Sequence, residues 1–180
     1  MKTHLMDYVF LDPLFETKDC KDWIRRLELS QWNQHRWYNS NKKTISFHHD
    51  FLVQNHNTVN AEMMPAVRSF AERYFDTFSS VRNNFTVNPL RFNKYEEGNS
   101  MELHIDHTRS LFDGERRGIP IASIIGCLNS DYSGGKFELC QGNVNIPTGC
   151  AIMFPSVFLY PHEVTEVTRG TRYSWVTWVY

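Results

Sequence analysis

From Asn88-Pro89 onward the chain is a succession of short β-forming runs, and this rhythm constrains its fold more than any other feature. Eight runs follow one another: Leu90–Tyr95, Met101–His104, Ile119–Leu128, Lys136–Leu139, Asn143–Ile146, Ala151–Phe154, Glu163–Val167 and Thr171–Val179. They are rich in residues that suit a pleated, half-buried surface. Turn chemistry separates them at Ser133-Gly134-Gly135, Pro147-Thr148-Gly149 and Arg169-Gly170. Strands this short and numerous pack as two sheets, so the expectation is a jelly roll. The stretch from Ser110 to Gly118 breaks the rhythm and reads as a mobile surface loop.

The N-terminal half carries helix signals instead. Thr17 can cap a helix whose apolar face is Cys20, Trp23, Ile24 and Leu27. From Thr58 to about Phe78, the residues Val59, Met63, Val67, Phe70, Tyr74 and Phe78 recur at steps of three and four. Between these helices, Ile45, Phe47, Phe51 and Val53 alternate, so Thr44 to Val53 reads as a strand. The predicted fold is mainly β with N-terminal helices that buttress one face of the jelly roll. Residues 1–88 supply helix-rich support plus first strands, and residues 89–180 supply the core. A length of 180 residues fits one domain, 1–180.

Composition narrows the function classes. With 41% hydrophobic and 14% aromatic residues, the chain can bury a real core and is not a disordered tail. A net charge of −1 argues against a protein held on nucleic acid by bulk charge. No apolar run approaches the ~20 residues of a membrane span, and no signal-peptide stretch opens the sequence. Cys20, Cys127, Cys140 and Cys150 form no C-x-x-C pair. Free buried thiols and a cytoplasmic location are the expectation.

Chemistry concentrates in three places. In His104-Ile105-Asp106, alternate side chains of an extended segment share one face, so an imidazole and a carboxylate can lean onto one metal ion. Leu103 and Ile105 then point into the opposite layer. His162 opens a distant strand and can complete the set. Two His and one carboxylate leave three positions of an octahedron open, as in the facial triad of non-haem iron(II) oxygenases. Arg172 lies on the last strand, where alternation places Ser174, Val176 and Trp178 on its face. A buried Arg calls for a carboxylate, which its fork grips with two bonds. A 2-oxo acid with a second, distal carboxylate would satisfy both the metal and this anchor.

Four pieces now form an ordered pattern. They are Arg91-Phe92-Asn93-Lys94-Tyr95 with Gly98; His104-Ile105-Asp106; Leu128-Asn129 leading to Gly134-Gly135; and Phe154-Pro155-Ser156 through His162 to Val167-Thr168-Arg169-Gly170-Thr171-Arg172. The stretch from about Arg91 to Tyr180 resembles the iron(II)- and 2-oxoglutarate-dependent oxygenases of the prolyl 4-hydroxylase-like group, notably its small bacterial and phage members. The resemblance implies a double-stranded β-helix fold, with His104, Asp106 and His162 as iron(II) ligands. It implies that Arg172 pairs with the distal carboxylate of 2-oxoglutarate, with Tyr95, Ser174 and Trp178 lining the same pocket. It implies hydroxylation of a C–H bond on a peptidyl or free proline or another amino-acid side chain, using O2 and releasing succinate and CO2. Ascorbate is a further cofactor it implies. Retention of Asp106 favours hydroxylation over halogenation. Two positions depart from the pattern: Cys127 stands where some animal relatives carry a second co-substrate tyrosine, and Lys136 follows the glycine pair where an acid is usual.

Other readings stay open at this stage. A nucleic-acid demethylase would use the same cofactor, but no further Arg after Arg172 and no basic groove is evident. A cupin-like metal-binding module without oxygenase activity would not need Arg172. His48-His49 with His56 makes a poor second metal site, because adjacent strand residues face opposite ways. His107 faces away from the triad if its strand continues. Trp32, Trp37 and Tyr38 read as core or a substrate-side lip, and Arg109, Arg116 and Arg117 as a solvated loop or a lid.

Overall fold

The computed structural model describes residues 4–35, 37–39, 44–46, 51–78, 85–106, 112–113, 116–117 and 119–180. The side chains of 37–39, 44–46, 112–113 and 116–117 lie outside this description, as do His48, His49, His107 and Arg109 altogether. The expectations placed on those residues therefore fall outside the described structure.

The chain folds as a double-stranded β-helix. A seven-stranded antiparallel sheet runs in the order Phe10–Pro13, Cys150–Pro155, Ala122–Cys127, Arg172–Val179, Arg91–Tyr95, Leu52–Gln54, Asn33–Gln34. A four-stranded sheet faces it, in the order Gly142–Val144, Phe137–Leu139, His162–Val164, Met101–His104. Two helices, α1 (Thr17–Glu28) and α2 (Asn57–Thr77), cover the outer face of the larger sheet.

Strand alternation sorts the core into two layers. Ile124, Met153, Trp175 and Val179 face the helices and meet Cys20, Trp23, Leu27, Val59, Met63, Val67 and Phe70. Ile125, Ile152, Val176 and Trp178 face the second sheet and meet Phe137, Leu139, Val164 and Phe154. Gly126 leaves no room for a Cβ against the Trp175 indole, so the small residue lets that ring lie flat on the sheet. A bidentate pair between Arg26 and Glu62 ties α1 to α2, with both bonds at 2.8 Å, and the Trp23 indole donates to the same carboxylate.

Several predicted boundaries move. Thr17 is the first helical residue rather than the cap; Glu16 is the N-cap, without a side-chain bond. His56 caps α2 by accepting from the Val59 N–H at 3.3 Å. The expected strand Thr44–Val53 appears as two pieces: Thr44–Ser46 pairs with Trp37–Asn39, while Leu52–Gln54 joins the large sheet. Within the expected loop 110–118, Phe112–Asp113 and Arg116–Arg117 pair as a small ribbon. Trp32 packs on the helix-side layer, 6.2 Å from the Tyr173 ring. The expected run Glu163–Val167 splits into His162–Val164 and Val167–Arg169. At the break the Gly135 N–H bonds the Glu166 carbonyl at 2.8 Å, and Gly134 and Gly135 take φ values of 71° and 55°. Ser133–Gly134, predicted as turn, then pairs with Val167–Arg169.

Candidate metal centre

His104 and His162 meet because their strands are neighbours in the smaller sheet, where the two residues are register partners. Their ring centroids lie 4.3 Å apart. Asp106 follows two residues after His104 and turns the same way. Its Oδ1 lies 3.6 Å from His104 Nε2, and its Oδ2 lies 3.6 Å from His162 Nε2. All three ligand atoms fall within 4.8 Å of one another. Leu103 does point away, as alternation requires, but at 57% exposure it meets solvent rather than a packed layer.

Each potential ligand is oriented by a further bond. His104 Nδ1 lies 2.7 Å from the Glu102 carbonyl, and His162 Nδ1 lies 3.1 Å from the Tyr160 carbonyl. A carbonyl only accepts, so Nδ1 carries the proton in both rings and Nε2 keeps a lone pair for a metal. Ser123 Oγ donates to Asp106 Oδ2 at 2.6 Å, and so must accept from Ser156 Oγ, 2.7 Å away. Burial alone would push the Asp106 carboxyl up. The adjoining His104 and His162 and the Ser123 hydroxyl outweigh it and hold the carboxyl far below the usual range. Burial pushes His162 down to about 4, against the pull of Asp106. Both groups therefore stand in ligand form at neutral pH. Two oriented imidazoles and a carboxylate with open positions fit a ferrous ion.

Arg172 lies at the other end of the same interior. It is 2% exposed, and its Nη1 donates to Ser174 Oγ at 2.7 Å. Its guanidinium sits over the Tyr95 ring, 5.2 Å from the centroid, and Arg172 and Tyr95 are register partners. Tyr95 stacks on Phe51 at 4.5 Å, and Phe51 on His35 at 4.4 Å. Among the described residues no carboxylate pairs with Arg172, and its Nε has no partner. A buried cation without its acid is costly unless an anion arrives. The Asn129 side chain fixes the strand here, donating to the Thr171 carbonyl and accepting from the Tyr173 N–H, both at 2.7 Å.

A narrow cavity of about 40 Å3 connects His104, Asp106 and His162 with Arg172, Ser174, Tyr95 and Trp178. Trp178 borders the metal end rather than the Arg172 end: it is opposite Ser123, the residue that holds Asp106. Three residues of this region were given no role from the sequence. Ser123 is one, and Tyr132 beside Arg172 is another. The third is Arg91, which lines the cavity with its guanidinium 5.1 Å from the Trp178 ring centroid. Position within a strand was the signal for Arg91, since it shares a face with Asn93 and Tyr95.

Residues 90–180 match the 2OG-Fe(II) oxygenase superfamily, and the chain belongs to that family, which is defined by iron(II) and 2-oxoglutarate. A PKHD-type hydroxylase of Paraburkholderia xenovorans is 32% identical over 133 residues, covering 71% of this chain and 57% of that protein. The chain spans about half the length of the curated relatives it matches. Its fold is similar to a viral collagen prolyl hydroxylase from Paramecium bursaria Chlorella virus-1, solved with 2-oxoglutarate. The TM-score is 0.67 at 12% identity, over 96% of this chain and 94% of that one. It is also similar to a Trichoplax adhaerens prolyl hydroxylase solved with a hypoxia-inducible-factor peptide. There the TM-score is 0.71 at 14% identity, over 96% of this chain and 83% of that one. Among the described residues no helix is long and apolar enough to cross a membrane.

Proposed function

We propose that this chain is a 2-oxoglutarate-dependent dioxygenase that hydroxylates a C–H bond of a peptidyl or free proline, or of another amino-acid side chain. The balance is R–H + O2 + 2-oxoglutarate → R–OH + succinate + CO2. One observation carries the reading: a His–Asp–His claw and a buried arginine with no carboxylate partner among the described residues open onto one cavity. His104, Asp106 and His162 hold iron(II), which supplies the oxygen-activating chemistry when bound. Arg172 takes the distal carboxylate of the 2-oxo acid, with Ser174 adding a hydroxyl and Tyr95 forming a wall. Trp178 closes the metal end. The whole of 1–180 serves as one oxygenase domain, with residues 1–88 supporting the 89–180 core.

The proline assignment draws on the prolyl hydroxylases among the fold neighbours. The test is succinate release from a peptide and amino-acid panel with iron(II) and 2-oxoglutarate, followed by mass spectrometry of the product. A mass gain of one oxygen on a prolyl substrate, coupled to succinate, supports it. Gain on a nucleobase or another side chain reassigns the substrate. No succinate from any substrate overturns the reading.

A further inference from the structure

A second arginine borders the cavity at its metal end. On the strand Arg91–Tyr95, residues 91, 93 and 95 share the inner face and stand opposite Val176, Ser174 and Arg172 in register. Arg91 and Arg172 thus occupy rungs four residues apart, roughly 13 Å along the strand. Val176, buried and apolar, lies on the same wall between the two cations. Arg172 is sealed, whereas Arg91 is only partly buried and meets solvent as well as the cavity.

Arg91 is held in place. Its Nε donates to Asn93 Oδ1 at 3.0 Å, and its Nη1 donates to His35 Nε2 at 3.3 Å. The guanidinium lies 5.1 Å from the Trp178 ring centroid and 6.0 Å from that of Phe51, and Phe51 stacks on His35. An arginine only donates, so His35 Nε2 accepts and carries no proton. Burial, helped by the Arg91 charge, pushes His35 down to about 3, so the ring is neutral at neutral pH. Asn93 is neutral too. These two bonds take two of the five guanidinium N–H groups and aim the fork without adding a charge. Both partners are buried, which fixes the plane of the fork in advance. A fork fixed in plane suits two-bond recognition of a carboxylate.

The neighbours of Arg91 place it beside the reacting centre. It lines one cavity with His104, Asp106 and His162. Trp178, against its guanidinium, stands opposite Ser123, which holds Asp106. The co-substrate acid has its own anchor at Arg172, so the cation at Arg91 serves a second molecule.

We infer that Arg91 anchors a carboxylate of the primary substrate, and that the molecule hydroxylated is therefore an acid. The carboxylate is either the α-carboxylate of a free or chain-terminal amino acid or the side chain of an aspartyl or glutamyl residue. This rests on the oxygenase reading above and narrows its substrate class. An internal prolyl residue between two amides carries no such group.

The test uses the protein loaded with manganese(II) and 2-oxoglutarate, in which a molecule seated beside the metal has its proton NMR signals broadened. The probes are pairs that differ in one charge. Each free amino acid is set against its α-carboxamide, and capped aspartyl and glutamyl peptides against their asparaginyl and glutaminyl forms. At least one acid is expected to broaden while its amide does not, and the kind of pair that responds identifies the source of the carboxylate. Arg91→Gln should weaken that acid at least ~10-fold and leave the affinities for 2-oxoglutarate and manganese(II), read by calorimetry, unchanged. Equal binding of acid and amide, full binding of the acid to Arg91→Gln, or no acid bound at all overturns the inference. Joint loss of the acid and 2-oxoglutarate would mark Arg91 as merely structural and overturns it too. Should Arg91→Gln fold poorly, Arg91→Met keeps the stem against Trp178 and drops the charge, and the acid–amide comparison on the wild-type protein still decides. If the wild-type protein binds manganese(II) but not 2-oxoglutarate, the oxygenase reading itself fails; if it binds both but no acid, only this inference fails.

Discussion

His104 and His162 are register partners on adjacent antiparallel strands, and their rings stand 4.3 Å apart with both Nδ1 atoms tied to backbone carbonyls. Sheet pairing therefore aims both Nε2 atoms before any metal arrives. His104→Ala and His162→Ala should each remove the thermal stabilisation by manganese(II). The metal-free proteins should differ: His162, at 4% exposure, leaves a hole against Phe137 and Phe154, and its loss should lower stability by roughly 2 kcal/mol more than loss of His104. Thermal melts with and without manganese(II) decide this, and retained stabilisation in either variant would count against the claw.

Ser123 touches no metal-ligating nitrogen, yet it holds Asp106 at 2.6 Å. Ser123→Ala removes that donor and leaves Ser156 without its acceptor. Manganese(II) affinity should fall about 10- to 100-fold, since partners that orient ligands matter nearly as much as the ligands. Calorimetric titration checks it; unchanged affinity would show that Asp106 needs no support.

The metal-free protein should lose stability in acid from two buried histidines. Burial pushes His35 down to about 3, helped by the Arg91 charge, and pushes His162 down to about 4. The unfolded chain titrates both near ~6.5. Below that pH the unfolded state binds more protons than the native one, so stability falls as pH drops from about 6.5 towards 4. Each histidine removes at most ~1.4 kcal/mol per pH unit. The depressed Asp106 carboxyl extends the loss to lower pH. Urea unfolding at several pH values from neutral to pH 4.5 measures the slope; a flat or rising profile towards acid would contradict it.

The parts legible in the sequence were those governed by strand alternation. Because side chains alternate strictly, Arg172, Ser174, Val176 and Trp178 could be put on one face, and all four line the inner cavity. His104-Ile105-Asp106 was legible for the same reason. Alternation says nothing about turns, so Tyr132, which reaches Arg172 from the loop before Gly134-Gly135, left no periodic signal. The division of Glu163–Val167 was hidden for a similar reason. It depends on Gly135 N–H bonding the Glu166 carbonyl at 2.8 Å and Val167 N–H bonding the Asn99 carbonyl at 2.9 Å, contacts between distant stretches. Alternation put Trp178 on the cavity face, while its register with Ser123 is a property of the folded sheet.

Arg172 offers a test with opposite signs. In the ligand-free protein it is a buried cation with no acid partner among the described residues, so Arg172→Met should raise the melting temperature. The same substitution should abolish stabilisation by 2-oxoglutarate while leaving manganese(II) binding intact. Arg172→Lys keeps the charge but loses the fork, and should weaken 2-oxoglutarate at least ~10-fold. A fall in ligand-free stability for Arg172→Met would contradict the account of Arg172 as a costly buried cation.

The most direct measurement is an anaerobic titration of the iron(II)-loaded protein with 2-oxoglutarate, followed by visible absorption. A 2-oxo acid chelating a ferrous ion through its keto and carboxylate oxygens produces a charge-transfer band. The band should appear only when iron(II) and 2-oxoglutarate are both present, and should vanish in His162→Ala. Its absence from the wild-type protein at saturating concentrations of both, or its survival in His162→Ala, would contradict a ferrous centre built on His104, Asp106 and His162.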